Sequence, residues 1–183
     1  VIVREELIMD VVVARCAGLD VHRDTVVVTV RIAEGGRAGT RRETRTFSTM
    51  GADLLDLGDW LVAQKVTLVG MESTGVYWKA PYYLLEDRIE GCWLLNPQHM
   101  RNVPGRKTDV GDSVWIADLL AHGLVRPSAV PARPIRDLRD LTRYRRRLVE
   151  ARTREVQRLD KVMQDAGIKL TSVASRLLSK SGL

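Results

Sequence analysis

The chain has 183 residues, enough for one core of ordinary size plus an appendage, and its 45% apolar content against 28% charged excludes a largely disordered polyelectrolyte. The net charge of +6 is unevenly spread: residues 1–132 carry 15 Lys and Arg against 17 Asp and Glu, and residues 133–183 carry 14 against 6, so the basic excess that would suit a polyanion, or only a solvated helix face, belongs to the C-terminal segment. Charges interrupt the first ten residues and no apolar run approaches a membrane span, which argues against a signal peptide or membrane anchor and predicts a cytoplasmic protein.

Val11 to Asp20 reads as an apolar strand, and Thr25 to Ala33 as a second, rich in β-branched residues. Gly35, Gly36 and Gly39 mark a turn, and Glu43 to Thr49 alternates as a third strand. Three strands with short connections predict an antiparallel meander. The period then changes. Leu54, Leu55, Leu57, Leu61 and Val62 form a helical face. Val66 to Met71 is a fully apolar strand of the kind found in a buried parallel position. A helix follows around Tyr77 to Asp87, then a strand from Gly91 to Asn96 closed by Pro97. Asn102 to Thr108, with Pro104 and Gly105, reads as a loop, and Asp112 to Ala121 as a helix with Val114, Ile116, Leu119 and Leu120 apolar and Gly123 beyond its end. Cys16 and Cys92 fall in the strands, without a CxxC or Cys/His cluster, and read as small buried hydrophobes.

Pro127, Pro131 and Pro134 delimit a linker. Ile135 to Ala166 lacks proline and glycine and reads as one long helix, roughly 45 Å at 1.5 Å per residue. Leu138, Leu141, Leu148, Leu159, Val162 and Ala166 make an apolar stripe that Arg145, Arg152 and Glu155 interrupt. Such a helix cannot bury itself, so pairing with another helix, in the same chain or in a second copy, is expected. Gly167 ends it, and Thr171 to Leu178 reads as a last short helix. The expected division is a mixed α/β domain over residues 1–126, a linker at 127–134, and a long basic helix with a short tail at 135–183.

Four carboxylates stand out. Asp20 ends the first strand, Glu72 ends the fourth, and Asp109 and Asp112 lie three apart at a helix start. Strand ends and a helix start can meet at one edge of an α/β sheet. Carboxylate oxygens suit Mg²⁺ or Mn²⁺, and two such ions about 3.5–4 Å apart can activate a nucleophile and stabilise a leaving oxygen on phosphate. The ordinary alternative for Asp109 and Asp112 is helix capping. His22 reads equally as a core-edge residue or a phosphate contact. His99, Arg101, Arg106 and Lys107 surround the third acidic segment as candidate phosphate contacts. Arg143, Arg146, Arg147 and Arg154 are the candidates on the long helix, against plain solubility. Tyr77, Trp78, Tyr82 and Tyr83 read as core, with room for one or two to stack on a base.

Gly18-Leu-Asp-Val-His22, Met71-Glu-Ser-Thr-Gly75, Asn96-Pro-Gln-His99, Val103-Pro-Gly-Arg-Lys-Thr-Asp109 and Ala121-His-Gly-Leu-Val-Arg-Pro127, in this order, resemble the DEDD transposases of the IS110 family, which are related to the Piv-type invertases. Ile135 to Tyr144 and Ile168 to Ser175 are similar to the same family's long helix and the segment beyond it. The resemblance implies a ribonuclease-H-like (RuvC-like) α/β fold with a mixed five-stranded sheet and flanking helices, followed by a coiled coil. It implies two Mg²⁺ (or Mn²⁺) ions on Asp20, Glu72, Asp109 and Asp112. It implies metal-dependent cleavage and exchange of DNA strands that mobilises an insertion sequence, with DNA, a structured guide RNA and further copies of the chain as partners. It also implies a C-terminal domain, supplying a catalytic serine, beyond these residues. The family's usual Lys-Asp-Ala is Gly111-Asp112-Ser113 here, which keeps the acid and loses a positive charge. Two other readings of the same residues are a Holliday-junction resolvase-like nuclease using water and a non-catalytic module that binds nucleic acid and dimerises.

Overall fold

The structure is a computed structural model that describes residues 10–34, 39–73, 75–103 and 111–169. The expected glycine turn at 35–38, most of the loop before Asp112 and the expected helix at 171–178 lie outside the described residues, as do Arg106, Lys107 and Asp109. The chain divides into two compact units, Val1–Val130 and Pro131–Leu183.

The first unit is built on one mixed sheet. β1 (Arg15–Val21), β2 (Thr25–Glu34) and β3 (Gly39–Ser48) form the expected antiparallel meander, with Ala17 opposite Val30 and Val28 opposite Arg45. β4 (Leu68–Glu72) runs parallel to β1, and β5 (Gly91–Leu95) runs parallel to β4, giving the order β3-β2-β1-β4-β5. β1 starts at Arg15 rather than Val11, because the amides of Val12 and Val13 both donate to the Ala121 carbonyl instead of joining the ladder. One edge strand, β3, is mostly exposed and carries Arg41, Arg42 and Arg45. At the other edge, Leu95 makes an antiparallel bridge to Pro127, and the Ser128 amide donates to the Leu94 carbonyl.

Strand side chains alternate between faces, and the two faces are packed differently. Ala17, Leu19, Val26, Val28, Val30, Ile32, Val69 and Met71 face α1 (Gly51–Ala63) and α2 (Lys79–Leu85) in one buried apolar cluster. In α1 the buried stripe is Leu54, Leu57, Trp60 and Leu61; Leu55 and Val62, expected on it, lie outward and exposed. Trp60 widens the stripe on its other flank, with Phe47 against its ring and the Arg45 guanidinium 4.6 Å from its centroid.

The opposite face carries α4 (Asp112–Ala121), which buries Ile116, Leu119, Leu120 and Ala121 against Cys16, Leu68 and Leu95. This face is partly polar. Thr29 Oγ1 is 2.9 Å from both Thr44 Oγ1 and Ser113 Oγ, a chain of hydroxyls from β3 through β2 to α4. Arg31, 4% exposed, donates from Nε to Asp118 Oδ1 at 2.9 Å, and Arg42 reaches the same oxygen at 2.8 Å.

A short helix that sequence patterning did not suggest, α3 (Pro97–Arg101), follows β5. Its cap explains it: the Asn96 side chain accepts from the Gln98 amide and Pro97 occupies the first turn, where its missing N–H costs nothing. The same asymmetry moves the start of α5 (Arg133–Asp165), in the second unit, ahead of the expected Ile135, since Pro134 lies in its first turn rather than in a linker. α5 has 33 residues and buries none of them.

Candidate functional site

Two glycines set the position of the acids. On β1, Gly18 has no room for a side chain: a Cβ there would lie 2.1 Å from the Ser113 carbonyl oxygen and 2.5 Å from the Ala117 nitrogen. On β4, a Cβ at Gly70 would lie 2.7 Å from Leu120 Cδ1. Gly18 pairs with Gly70 across the parallel ladder, so the two bare positions form one saddle on which α4 rests. Two residues further along each strand, on the same face by the period of two, come Asp20 and Glu72. They follow directly on the last parallel pair, Leu19 with Met71. Asp112 is the first residue of α4, at the end of the helix that passes over Gly18. The Ser113 hydroxyl, on the next residue, is tied to Thr29 and fixes the start of that helix to β2.

The electrostatics agree with this placement. Burial pushes the Asp20 carboxyl above its ordinary range, and the negative charges of Asp112 and Glu72 push it further the same way. His22 opposes the shift by its charge and by a contact of 3.1 Å from Nε2 to Asp20 Oδ2. Asp20 is 26% exposed and His22 60%. His22 is thus a partner of Asp20 rather than a core residue. The signal was in the sequence, since residues 20 and 22 share a face of an extended chain.

Glu72 and Asp112 are therefore each brought within electrostatic reach of Asp20, while Asp109 lies outside the described residues. Among the described residues no group of three or more His, Cys, Asp or Glu side chains is gathered closely enough to hold a metal ion. The donor set still fits a hard divalent cation in kind: carboxylate oxygens only, with the Asp20 carboxyl pushed up by burial and then by its acidic neighbours, effects that a bound cation would oppose.

The remaining candidates are more dispersed. His99 is exposed on α3, which starts just past the β5 end that pairs with Glu72, and Arg101 closes that helix. Tyr82 is buried, with Trp78 and Tyr83 packed edge-on around it, while Tyr77 is exposed. Arg143, Arg146, Arg147 and Arg154 are exposed on α5, where Arg146 Nε donates to Glu150 at 2.8 Å. Both cysteines are free, Cys16 buried and Cys92 half-buried. Among the described residues no helix is long and apolar enough to cross a membrane.

A mixed five-stranded sheet in the order 3-2-1-4-5, with only β2 antiparallel to its neighbours, helices on both faces and acids at the carboxyl ends of the first and fourth strands, has the ribonuclease-H-like architecture. The chain belongs to the IS110-type DEDD transposases: that family's model, described as a transposase, matches residues 17–168. Two solved structures are distantly similar. The RuvC structure from Thermus thermophilus is 12% identical with a TM-score of 0.44, covering 62% of this chain and 99% of that one. T. thermophilus RuvC in complex with Holliday junction substrate is 13% identical with a TM-score of 0.43 and the same coverage. No curated protein matches the chain.

Proposed function

We propose that residues 1–126 form the metal-dependent, DNA-processing domain of a transposase that cleaves and exchanges DNA strands to mobilise an insertion sequence, with Asp20, Glu72, Asp109 and Asp112 as its metal ligands. The observation that carries the proposal is the saddle of Gly18 and Gly70, which lets the first turn of α4 lie over the face where Asp20 and Glu72 stand side by side. Two Mg²⁺ or Mn²⁺ ions bound there would supply Lewis-acid polarisation of the scissile phosphate and charge stabilisation of the leaving 3′ oxygen. Asp20, next to His22, and Glu72 hold the anionic charge at the strand ends, and the α4 backbone fixes where Asp112 begins. His99, Arg101, Arg106 and Lys107 hold phosphates on the approach to the acids.

The attacking group implied by the family resemblance is a serine from a further domain. A structured RNA that pairs with both DNA partners is the guide that the resemblance supports. The exposed arginines of the long helix, Arg143, Arg146, Arg147 and Arg154, suit a phosphate backbone, whose binding would weaken steeply with salt. The short segment between Ser128 and the start of α5 at Arg133 acts as the linker, and the helix beyond it associates with another copy of the chain.

The test is calorimetric titration of Mn²⁺ into the chain and into Asp20→Ala. Binding of about two ions by the wild type, with at least one lost in the variant, is the expected result. Absence of binding both with and without DNA present would overturn the metal assignment.

A further inference from the structure

The long helix α5 leaves its whole apolar stripe in solvent: Leu138, Leu141, Leu148, Leu159 and Val162 are 45–66% exposed. With Leu138 as position a of a heptad, position a holds Leu138, Arg145, Arg152 and Leu159, and position d holds Leu141, Leu148, Glu155 and Val162. The seam is therefore apolar at both ends and charged in the middle. That arrangement decides what can cover it.

A parallel, in-register second copy sets each residue against itself. Three seam layers would then bring like charges together, at Arg145, Arg152 and Glu155, and like charges facing each other oppose pairing. In an antiparallel pair, position a of one helix meets position d of the other. One register places Leu138 against the partner's Val162, Leu141 against the partner's Leu159, Arg145 against the partner's Glu155 and Leu148 against the partner's Arg152. Every apolar end layer is then filled, each Arg145 meets an opposite charge, and the Arg152 stem lies along a leucine. This register also overlaps the two helices over nearly their full length of about 50 Å. Sliding by one heptad either leaves Leu138 unpaired or sets it against Glu155. The existing contact of Glu155 with Arg158, 2.7 Å between two largely exposed side chains, is weak enough to be shared.

We propose that α5 pairs with α5 of a second copy as an antiparallel two-stranded coiled coil in this register, specified by the Arg145–Glu155 layers. It rests on the reading that the long helix self-associates and is independent of the metal chemistry. Arg143, Arg146, Arg147 and Arg154 fall at positions f, b, c and c, away from the seam, so the dimer keeps its basic surface outward.

The test uses the 183-residue chain with Leu138→Cys or Val162→Cys, each alone and mixed after subunit exchange, under mild oxidation. The native thiols, one buried and one half-buried, provide the blank. The two positions are about 36 Å apart along one helix, so cross-linking in the mixture alone is expected. Self-cross-linking of Leu138→Cys overturns the antiparallel orientation while leaving self-association standing. A wild type that sediments as a monomer at all concentrations overturns both. Independently, Arg145→Glu or Glu155→Arg is expected to weaken dimerisation about tenfold or more, and the double exchange to restore it. A double variant no tighter than the singles overturns the register.

Discussion

Replacing Gly18 by alanine is the sharpest test of how the site is assembled. The new methyl would meet the Ser113 oxygen at 2.1 Å, the Ala117 nitrogen at 2.5 Å and the Ile116 Cβ at 2.9 Å. Two of these are helix backbone, so no side-chain rotation relieves the contact, and α4 must lift as a body. Overpacking of a tight core costs about 1–3 kcal/mol, and a contact with backbone belongs at the upper end. The Thr29–Ser113 hydrogen bond lost by that movement adds about 1 kcal/mol. Reduced freedom of the unfolded chain gives back about 0.5–1 kcal/mol. The net is about 3 kcal/mol, a large part of the ~5–15 kcal/mol that holds a domain of this kind together. Gly70→Ala is the control: the nearest atoms its methyl meets are all in the Leu120 side chain rather than in backbone, so about 1 kcal/mol is expected. Urea denaturation of the three proteins, with unchanged slopes, measures both. If Gly18→Ala costs less than 1 kcal/mol, or no more than Gly70→Ala, the saddle does not seat α4 and the reasoning fails. If it stands, Gly18→Ala also weakens Mn²⁺ binding more than Gly70→Ala does, because only the former displaces the turn that carries Asp112.

Asp20→Asn is expected to raise the thermal midpoint at neutral pH without added metal. The folded state holds the Asp20 carboxyl above its unfolded value, chiefly through burial, so stability is fully present below the ordinary carboxylate range and is lost as pH rises through the raised value. The gain should vanish in acid, and a midpoint unchanged at all pH values would refute it. Asp118→Ala should cost about 3–5 kcal/mol in denaturant, since it strands the buried Arg31 guanidinium, whereas Arg42→Ala, at an exposed position, should cost under about 1 kcal/mol. Neither native thiol should react with a disulfide reagent at neutral pH before unfolding, because burial pushes Cys16 up to about 11 and Cys92 up to about 12; stoichiometric labelling of the folded chain would contradict this.

The sheet was legible because its strands obey the simplest signal, runs of β-branched residues and one fully apolar strand between helical periods. The nearness of Asp20 and Glu72 was legible from their places at the ends of two apolar strands; Gly18-x-Asp20 and Gly70-x-Glu72 also repeat one pattern, a bare position and then an acid on the same face. What the pattern did not state was the purpose of the glycines, since a close helix crossing joins residues nearly a hundred positions apart. The helix α3 was missed because its stability comes from a cap, Asn96 with Pro97, in five residues too short to show a period. The stripe on α1 was misassigned at Leu55 and Val62 because the buried face runs through Leu54, Leu57 and Leu61 and widens toward Trp60 on the opposite flank, leaving those two outward. Asp109, Arg106 and Lys107 lie outside the described residues, so their roles stay with the sequence and the family pattern.

The two rims of the sheet bear on how the protein behaves when crowded. A strand at an open rim offers unpaired backbone groups to any other extended chain, the usual route to ordered aggregation. Here one rim presents the arginines of β3, and the other is covered at Leu94 and Leu95 by the segment through Pro127 and Ser128, where proline supplies no amide to a newcomer. Each rim thus carries a device against sheet-to-sheet accretion, one by charge and one by a covering segment.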